Sequence, residues 1–171
     1  MESITGIVVP QQPSAAEGDR AKDQAKAQAE AITTWHQAFL FCDSEGQDIS
    51  VLPSDVQSFL NDEMDWDPEE PEHESVCDAI REMVLEDALS AQVRTEWHSL
   101  GDEPELGQYK LLLCTGGPAV QIRGELCNGE PEHAYLEFQD WFTPWEPYED
   151  TTEEQDAALL WYAEQFYWEQ A

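Results

Sequence analysis

The chain has 171 residues and carries 38 Asp and Glu against seven Lys and Arg, a formal net charge of −31 at neutral pH. Acidic chains of low hydrophobicity stay disordered because they bury too little apolar surface to offset chain entropy, but 41% hydrophobic and 11% aromatic residues, with seven Trp, supply a core here. The length predicts one domain, no apolar run reaches the roughly 18–20 residues that span a bilayer, and an anionic leaflet or a nucleic acid would meet repulsion almost everywhere.

Residues 1–13 (MESITGIVVPQQP) read as an arm whose sticky part is Ile4, Ile7, Val8 and Val9. They lack the basic n-region and long h-region of a signal peptide, so a cytoplasmic location in a host cell is expected. Ser14 with Glu17 has capping-box spacing and opens a helix, along which Ala21, Ala25, Ala29, Ile32, Trp35 and Phe39 form one stripe. The alanine half of the stripe is a narrow contact face and the aromatic half docks on the main body. Two uses of this face stand side by side: packing within the chain, or a homodimer through residues 15–41.

Asp43 to Asp48 reads as a turn, and Pro53-Ser54-Asp55 starts a short helix with Val56, Phe59 and Leu60 inward. The densest charge run follows, Asp62 to Glu74 (DEMDWDPEEPEHE), where Pro68 and Pro71 forbid a regular helix and predict an exposed loop. Glu74 to Ala91 is an amphipathic helix with Val76, Ile80, Met83, Val84 and Ala88 inward and Glu74, Asp78, Glu82, Glu86 and Asp87 in water. The period then falls to two: Val93, Thr95 and Trp97 alternate with Arg94, Glu96 and His98, as in a half-buried strand. Tyr109 to Thr115 is a second, central strand. Gly116-Gly117-Pro118 turns into a third, with Val120, Ile122, Gly124 and Leu126 on one face. Asn128-Gly129 is a hairpin signal, and a fourth strand carries Ala134, Leu136 and Phe138 inward. Phe142 to Tyr148 leaves the sheet as an aromatic, proline-held segment, and Thr151 with Glu154 caps a last helix to about Glu169. The expected class is α+β: a four-stranded antiparallel meander packed with two or three helices, plus the N-terminal helix.

The charge is local. Residues 43–171 hold 33 acids against Arg81, Arg94, Lys110 and Arg123, a net of −29, whereas residues 1–42 hold five acids and three bases. The chain therefore divides by charge into a near-neutral arm and helix (1–42) and an acidic α+β part (43–171). Adaptation to high salt would acidify the whole chain, so the contrast favours a basic partner.

Cys42, Cys77, Cys114 and Cys127 are scattered without a C-x-x-C pair, and with the four His they make no zinc spacing. They are expected reduced and buried. Asp65-Trp66-Asp67-Pro68-Glu69 echoes alternating calcium ligands, but the EF-hand glycine is missing and position twelve, counting from Asp65, is Val76. No metal or cofactor is expected. No catalytic motif is present either: there is no Walker sequence, G-x-S-x-G or H-E-x-x-H, and Gly116-Gly117 is too short for a dinucleotide fingerprint. His98 and His133 read as structural, and Trp141, Trp145 and Tyr148 either stack on a ligand or form a core or rim cluster.

The segment LLLCTGGPAVQIRGEL…GEPEHAYLEFQDWFTPWEPY (Leu111 to Tyr148) resembles a small family of uncharacterised proteins of phages and other mobile elements, through its GGPAV turn and QDWFTPW block. The resemblance implies a genomic setting and carries no activity or catalytic residue. In charge alone the chain is also similar to anti-restriction and anti-CRISPR proteins that imitate DNA. Duplex DNA carries one charge per roughly 1.7 Å, so thirty-one charges match about 53 Å of duplex.

The functional expectation is a non-catalytic anti-defence inhibitor of phage type, an acidic DNA mimic that occupies a basic nucleic-acid site on a host CRISPR or restriction complex. Its partner surface is expected at Asp62, Glu63, Asp65, Asp67, Glu69, Glu70, Glu72 and Glu74, continued by Glu82, Glu86 and Asp87. An acidic adaptor or chaperone for a basic protein is the alternative. An enzyme with an unrecognised, aromatic-lined pocket joining His133, Trp141 and carboxylates is the third.

Overall fold

The computed structural model describes residues 15–44, 48–64, 66, 73–103, 105–141 and 143–168. Among them are four α-helices, α1 (Ala15–Asp43), α2 (Ser54–Asp62), α3 (His73–Asp87) and α4 (Glu153–Glu164). Six strands follow the same count: β1 (Ser90–Thr95), β2 (Leu106–Cys114), β3 (Ala119–Cys127), β4 (Glu130–Pro131), β5 (Tyr135–Gln139) and β6 (Glu146–Pro147). All pairings are antiparallel, in the order β1-β2-β3-β5-β6, with β4 folded back onto β3. The α+β class and the meander agree with the sequence reading. The two extra strands are two residues each, too short to carry a period-two signal.

α1 holds the layers together. Its alanines Ala21, Ala25 and Ala29, with Ile32 and Phe39, are buried, and it touches α2, α3, α4, β3 and β5. Small side chains allow close approach at one end. At the other, Trp35 stacks on Tyr162 (6.4 Å between centroids) and Phe39 lies 5.3 Å from Trp161. From Ala21 to Ala29 the alanine stripe is thus filled from within the chain. The charge boundary at residue 42 is no packing boundary.

The helices cover one face of the sheet. Tyr109, Leu111 and Leu113 of β2, Val120, Ile122 and Leu126 of β3 and Leu136 of β5 are buried there. The expected burial of β1 does not hold: residues 91–100 are all exposed, and Trp97 and Leu100 project fully into solvent. β1 pairs only with β2, at the sheet edge, so alternation in its sequence has no layer to bury against.

Two helix ends also differ from expectation. α3 stops at Asp87 rather than Ala91, because Ser90 and Ala91 pair with Leu112 and Leu111 in the sheet. α4 is capped one residue later than Thr151: Thr152 Oγ1 accepts from Gln155 N (3.2 Å) and Gln155 Oε1 accepts from Thr152 N (3.0 Å). It ends at Glu164, well short of Glu169. The chain turns there, and the Trp168 indole donates to the Ala163 carbonyl (2.9 Å) while packing 4.8 Å from the Tyr109 ring. Tertiary contact with the sheet wins over helix continuation. The capping box expected at Ser14 lies outside the described residues.

The Tyr109 hydroxyl also locks the sheet. It donates to the His133 carbonyl (2.7 Å) by passing over Gly124, its cross-strand partner. A Cβ at Gly124 would lie 1.8 Å from that carbonyl oxygen and 2.6 Å from the hydroxyl, so only glycine fits. Gly124→Ala should therefore cost about 3 kcal/mol or more of unfolding free energy, read by urea denaturation. An unchanged midpoint would refute this packing.

Candidate functional site

Carboxylates at helix ends meet different fields. An α-helix is electropositive at its N-terminus and electronegative at its C-terminus, each acid being favoured or disfavoured by about 0.3–1 kcal/mol. Glu153, Glu154 and Asp156 occupy the first turn of α4 and gain from this. Their neighbourhood is also tied down: Glu154 Oε1 accepts from Gln37 Nε2 (2.6 Å), and Asp150 pairs with Lys22 (2.5 Å). These acids have a reason to be there that folding alone supplies.

The acids of α2 and α3 do not. Asp62 closes α2 and Glu63 is its C-cap, both exposed, with no base in the last turn. Glu82 and Glu86 are exposed on the C-terminal half of α3, whose last turn also lacks a base. With Asp78 they recur every four residues, about 6 Å apart along the axis, where like charges repel. Asp78 alone has a partner, Arg81 at 3.0 Å, and that guanidinium sits 4.9 Å over the Phe39 ring.

Of the other expected site residues, Asp65, Asp67, Glu69, Glu70 and Glu72 lie outside the described residues, as does the Glu74 side chain, although its backbone lies in the first turn of α3. Within that run Trp66 is buried, its ring edge-on to Phe41 at 5.4 Å. Asp87 corrects the sequence reading. Instead of facing water it is half-buried and accepts from the Tyr162 hydroxyl (2.8 Å), which makes it a structural group.

Among the described residues, four Lys or Arg ion pairs occur, Lys22–Asp150, Lys26–Glu30, Arg81–Asp78 and Arg123–Glu137. Glu125 and Glu132 lie 3.8 and 4.0 Å from the His133 ring. A further acidic group, Glu96, Asp102, Glu103 and Glu105, surrounds the exposed Trp97 and Leu100 at the β1–β2 turn.

The second face of the sheet gathers cations in one groove, which the charge count hid. Arg94 on β1, Lys110 on β2 and Arg123 on β3 are three of the seven bases of the chain, and they line one groove with Gln92, Gln108 and Trp145. Its volume is about 350 Å³. A signal was present in the sequence: Gln92-Val93-Arg94, Gln108-Tyr109-Lys110 and Gln121-Ile122-Arg123 repeat glutamine and base two residues apart. At strand period that spacing puts both on one face.

The residues considered for catalysis do not converge. His133 precedes β5 and Trp141 follows it, so a strand's length separates them. His133 stacks on Tyr135 and lies 3.8 Å from Glu125, His98 Nδ1 contacts the Glu96 carbonyl, and Tyr148 is core. His36 stacks on Trp161 at 5.0 Å, and burial lowers its pKa against the opposing pull of Glu154. Cys42 and Cys77 are buried side by side, and burial first, then Cys77, pushes the Cys42 thiol up to about 12. Cys114 is half-buried and Cys127 exposed, against the expectation that all four are buried. Among the described residues no three His, Cys, Asp or Glu side chains gather to hold a metal, and no helix is long and apolar enough to cross a membrane.

Burial raises the Asp87 carboxyl above its usual 3.8, with the Tyr162 hydrogen bond pulling partly back. The native state therefore binds the Asp87 proton more tightly than the unfolded chain does. Stability falls as pH rises from 3.8 through the raised value, and the ionised group opposes folding at neutral pH. Asp87→Asn keeps an acceptor for Tyr162 and should raise the melting temperature at neutral pH, with the gain vanishing in acid. Tyr162→Phe should lose about 1–3 kcal/mol at neutral pH, and less in the Asp87→Asn background. Raising salt from about 10 to about 100 mM shortens the screening length from ~30 to ~10 Å and should stabilise the wild-type fold. Compared with known protein families, curated proteins and solved structures, the chain matches none.

Proposed function

We propose that this protein is a non-catalytic binding protein whose folded polyanionic surface occupies the basic nucleic-acid site of another protein. The observation that carries this reading is the placement of Asp62, Glu63 and Glu86 at the C-terminal, electronegative ends of α2 and α3, with Glu82 one turn before Glu86. Asp62, Glu63 and Glu86 oppose their helix dipoles, Glu82 repels Asp78 and Glu86, and none of the four has a Lys or Arg partner among the described residues, so folding gains nothing from them. Held on helices anchored by Val56, Phe59, Leu60, Ile80 and Val84, they keep fixed spacing, as a disordered acidic tail would not. Fixed carboxylates suit Arg forks in a cationic groove, and long-range attraction speeds the encounter. The phage-type resemblance of Leu111 to Tyr148 points to a host defence complex, CRISPR or restriction, as the class of target.

Replacing Asp62, Glu63, Glu82 and Glu86 together by Asn or Gln should weaken target binding at least about tenfold and flatten its salt dependence, while raising thermal stability. Target captured from host lysate should be released by excess duplex DNA. Capture that tolerates DNA would move the reading to an acidic adaptor, and unchanged binding by the fourfold variant would remove this surface from it.

A further inference from the structure

We infer that the open face of the sheet is a second binding site, of opposite sign, for a small planar organic anion of the mononucleotide class. The inference is independent of the acidic surface on α2 and α3. The groove is lined by three of the seven bases in the chain and by no carboxylate, and Glu137 borders it, accepting from Gln121 (2.6 Å). Lys110 and Arg123 stand directly opposite each other on β2 and β3, an arrangement that like charges disfavour. Arg123 leans on Glu137 at 3.7 Å, while Lys110 and Arg94 have no carboxylate partner among the described residues. In so acidic a chain, two cations left without carboxylates beside Arg123 on a sheet are explained by an anion that arrives from outside.

The other lining groups narrow the class. Gln92 sits opposite Lys110, and Gln108 Oε1 accepts from Arg94, leaving its amide N–H groups to donate. Side-chain amides offer both donors and acceptors, which matches the edge of a nucleobase better than a bare oxyanion. Trp145 supplies a face on which a base can stack. A volume of about 350 Å³ is at the small end for ligand sites. The surrounding field sets the upper limit on size: beyond the groove each added phosphate would meet carboxylates, so one nucleotide fits and a strand does not.

The test is a calorimetric and ¹H–¹⁵N NMR titration of the full chain with the four common nucleoside monophosphates, inorganic phosphate and a short single-stranded DNA. At least one monophosphate should bind and shift the Gln92 and Gln108 side-chain amides and the Trp145 indole. Lys110→Gln and Arg94→Gln should each weaken it about tenfold, with unchanged melting temperature. The fourfold acid variant of α2 and α3 should bind it as well as wild type, which separates this site from the acidic one. No monophosphate bound at about 10 mM, or full affinity in Lys110→Gln, would overturn the site. Phosphate binding as tightly as the nucleotide would overturn its class, and tighter binding of the DNA would overturn the size limit.

Discussion

A chain this acidic folds only if its core outweighs self-repulsion, and the burial of α1 makes that core continuous. It touches every other described helix and two strands, with alanines where the contact is close and Trp35 and Phe39 where it widens. Carboxylates resist desolvation, so the helix at the centre has to be poor in them. Eight of residues 20–43 are exposed, a third of them, against seven of the thirteen in 75–87, and the acids concentrate accordingly on α3. The near neutrality of residues 20–42 thus has a packing cause. It no longer distinguishes a basic partner from adaptation to salt.

The carboxylates are not equivalent once the fold is known. Those at the start of α4 serve the helix they begin, and Asp87 serves the core through Tyr162. Asp62, Glu63, Glu82 and Glu86 serve neither. Summed charge conceals this difference, because the dipole's sign depends on which end of which helix a residue occupies.

The sheet separates charge as well. Its inner face is apolar against α1 and α4, and its outer face gathers Arg94, Lys110 and Arg123. Strand pairing brings them together: positions 94, 110 and 123 are distant in sequence but fall on adjacent strands in compatible register. The molecule therefore carries exposed acids on α2 and α3, which pack on α1, and a cationic groove on the sheet face that α1 and α4 leave open.

Local pattern determined much of this protein. Helical stripes marked α1, α2 and α3, Asn128-Gly129 with positive φ at both residues marked the β3–β4 hairpin, and alternation marked the buried faces of β2 and β3. These follow from contacts within a few residues, where period and turn chemistry act directly. The tertiary structure decided what such contacts cannot. Only the sheet order shows that β1 is an edge with nothing to cover Val93 and Trp97. Only the sheet surface explains why the chain leaves α4 at Glu164 and tucks Trp168 under Tyr109. Asp87 and Glu86 are adjacent and chemically alike, yet one meets Tyr162, 75 residues away, and the other meets water. The total charge was written in the composition, but the field at each carboxylate and the gathering of three cations depend on long-range packing, which no local pattern encodes.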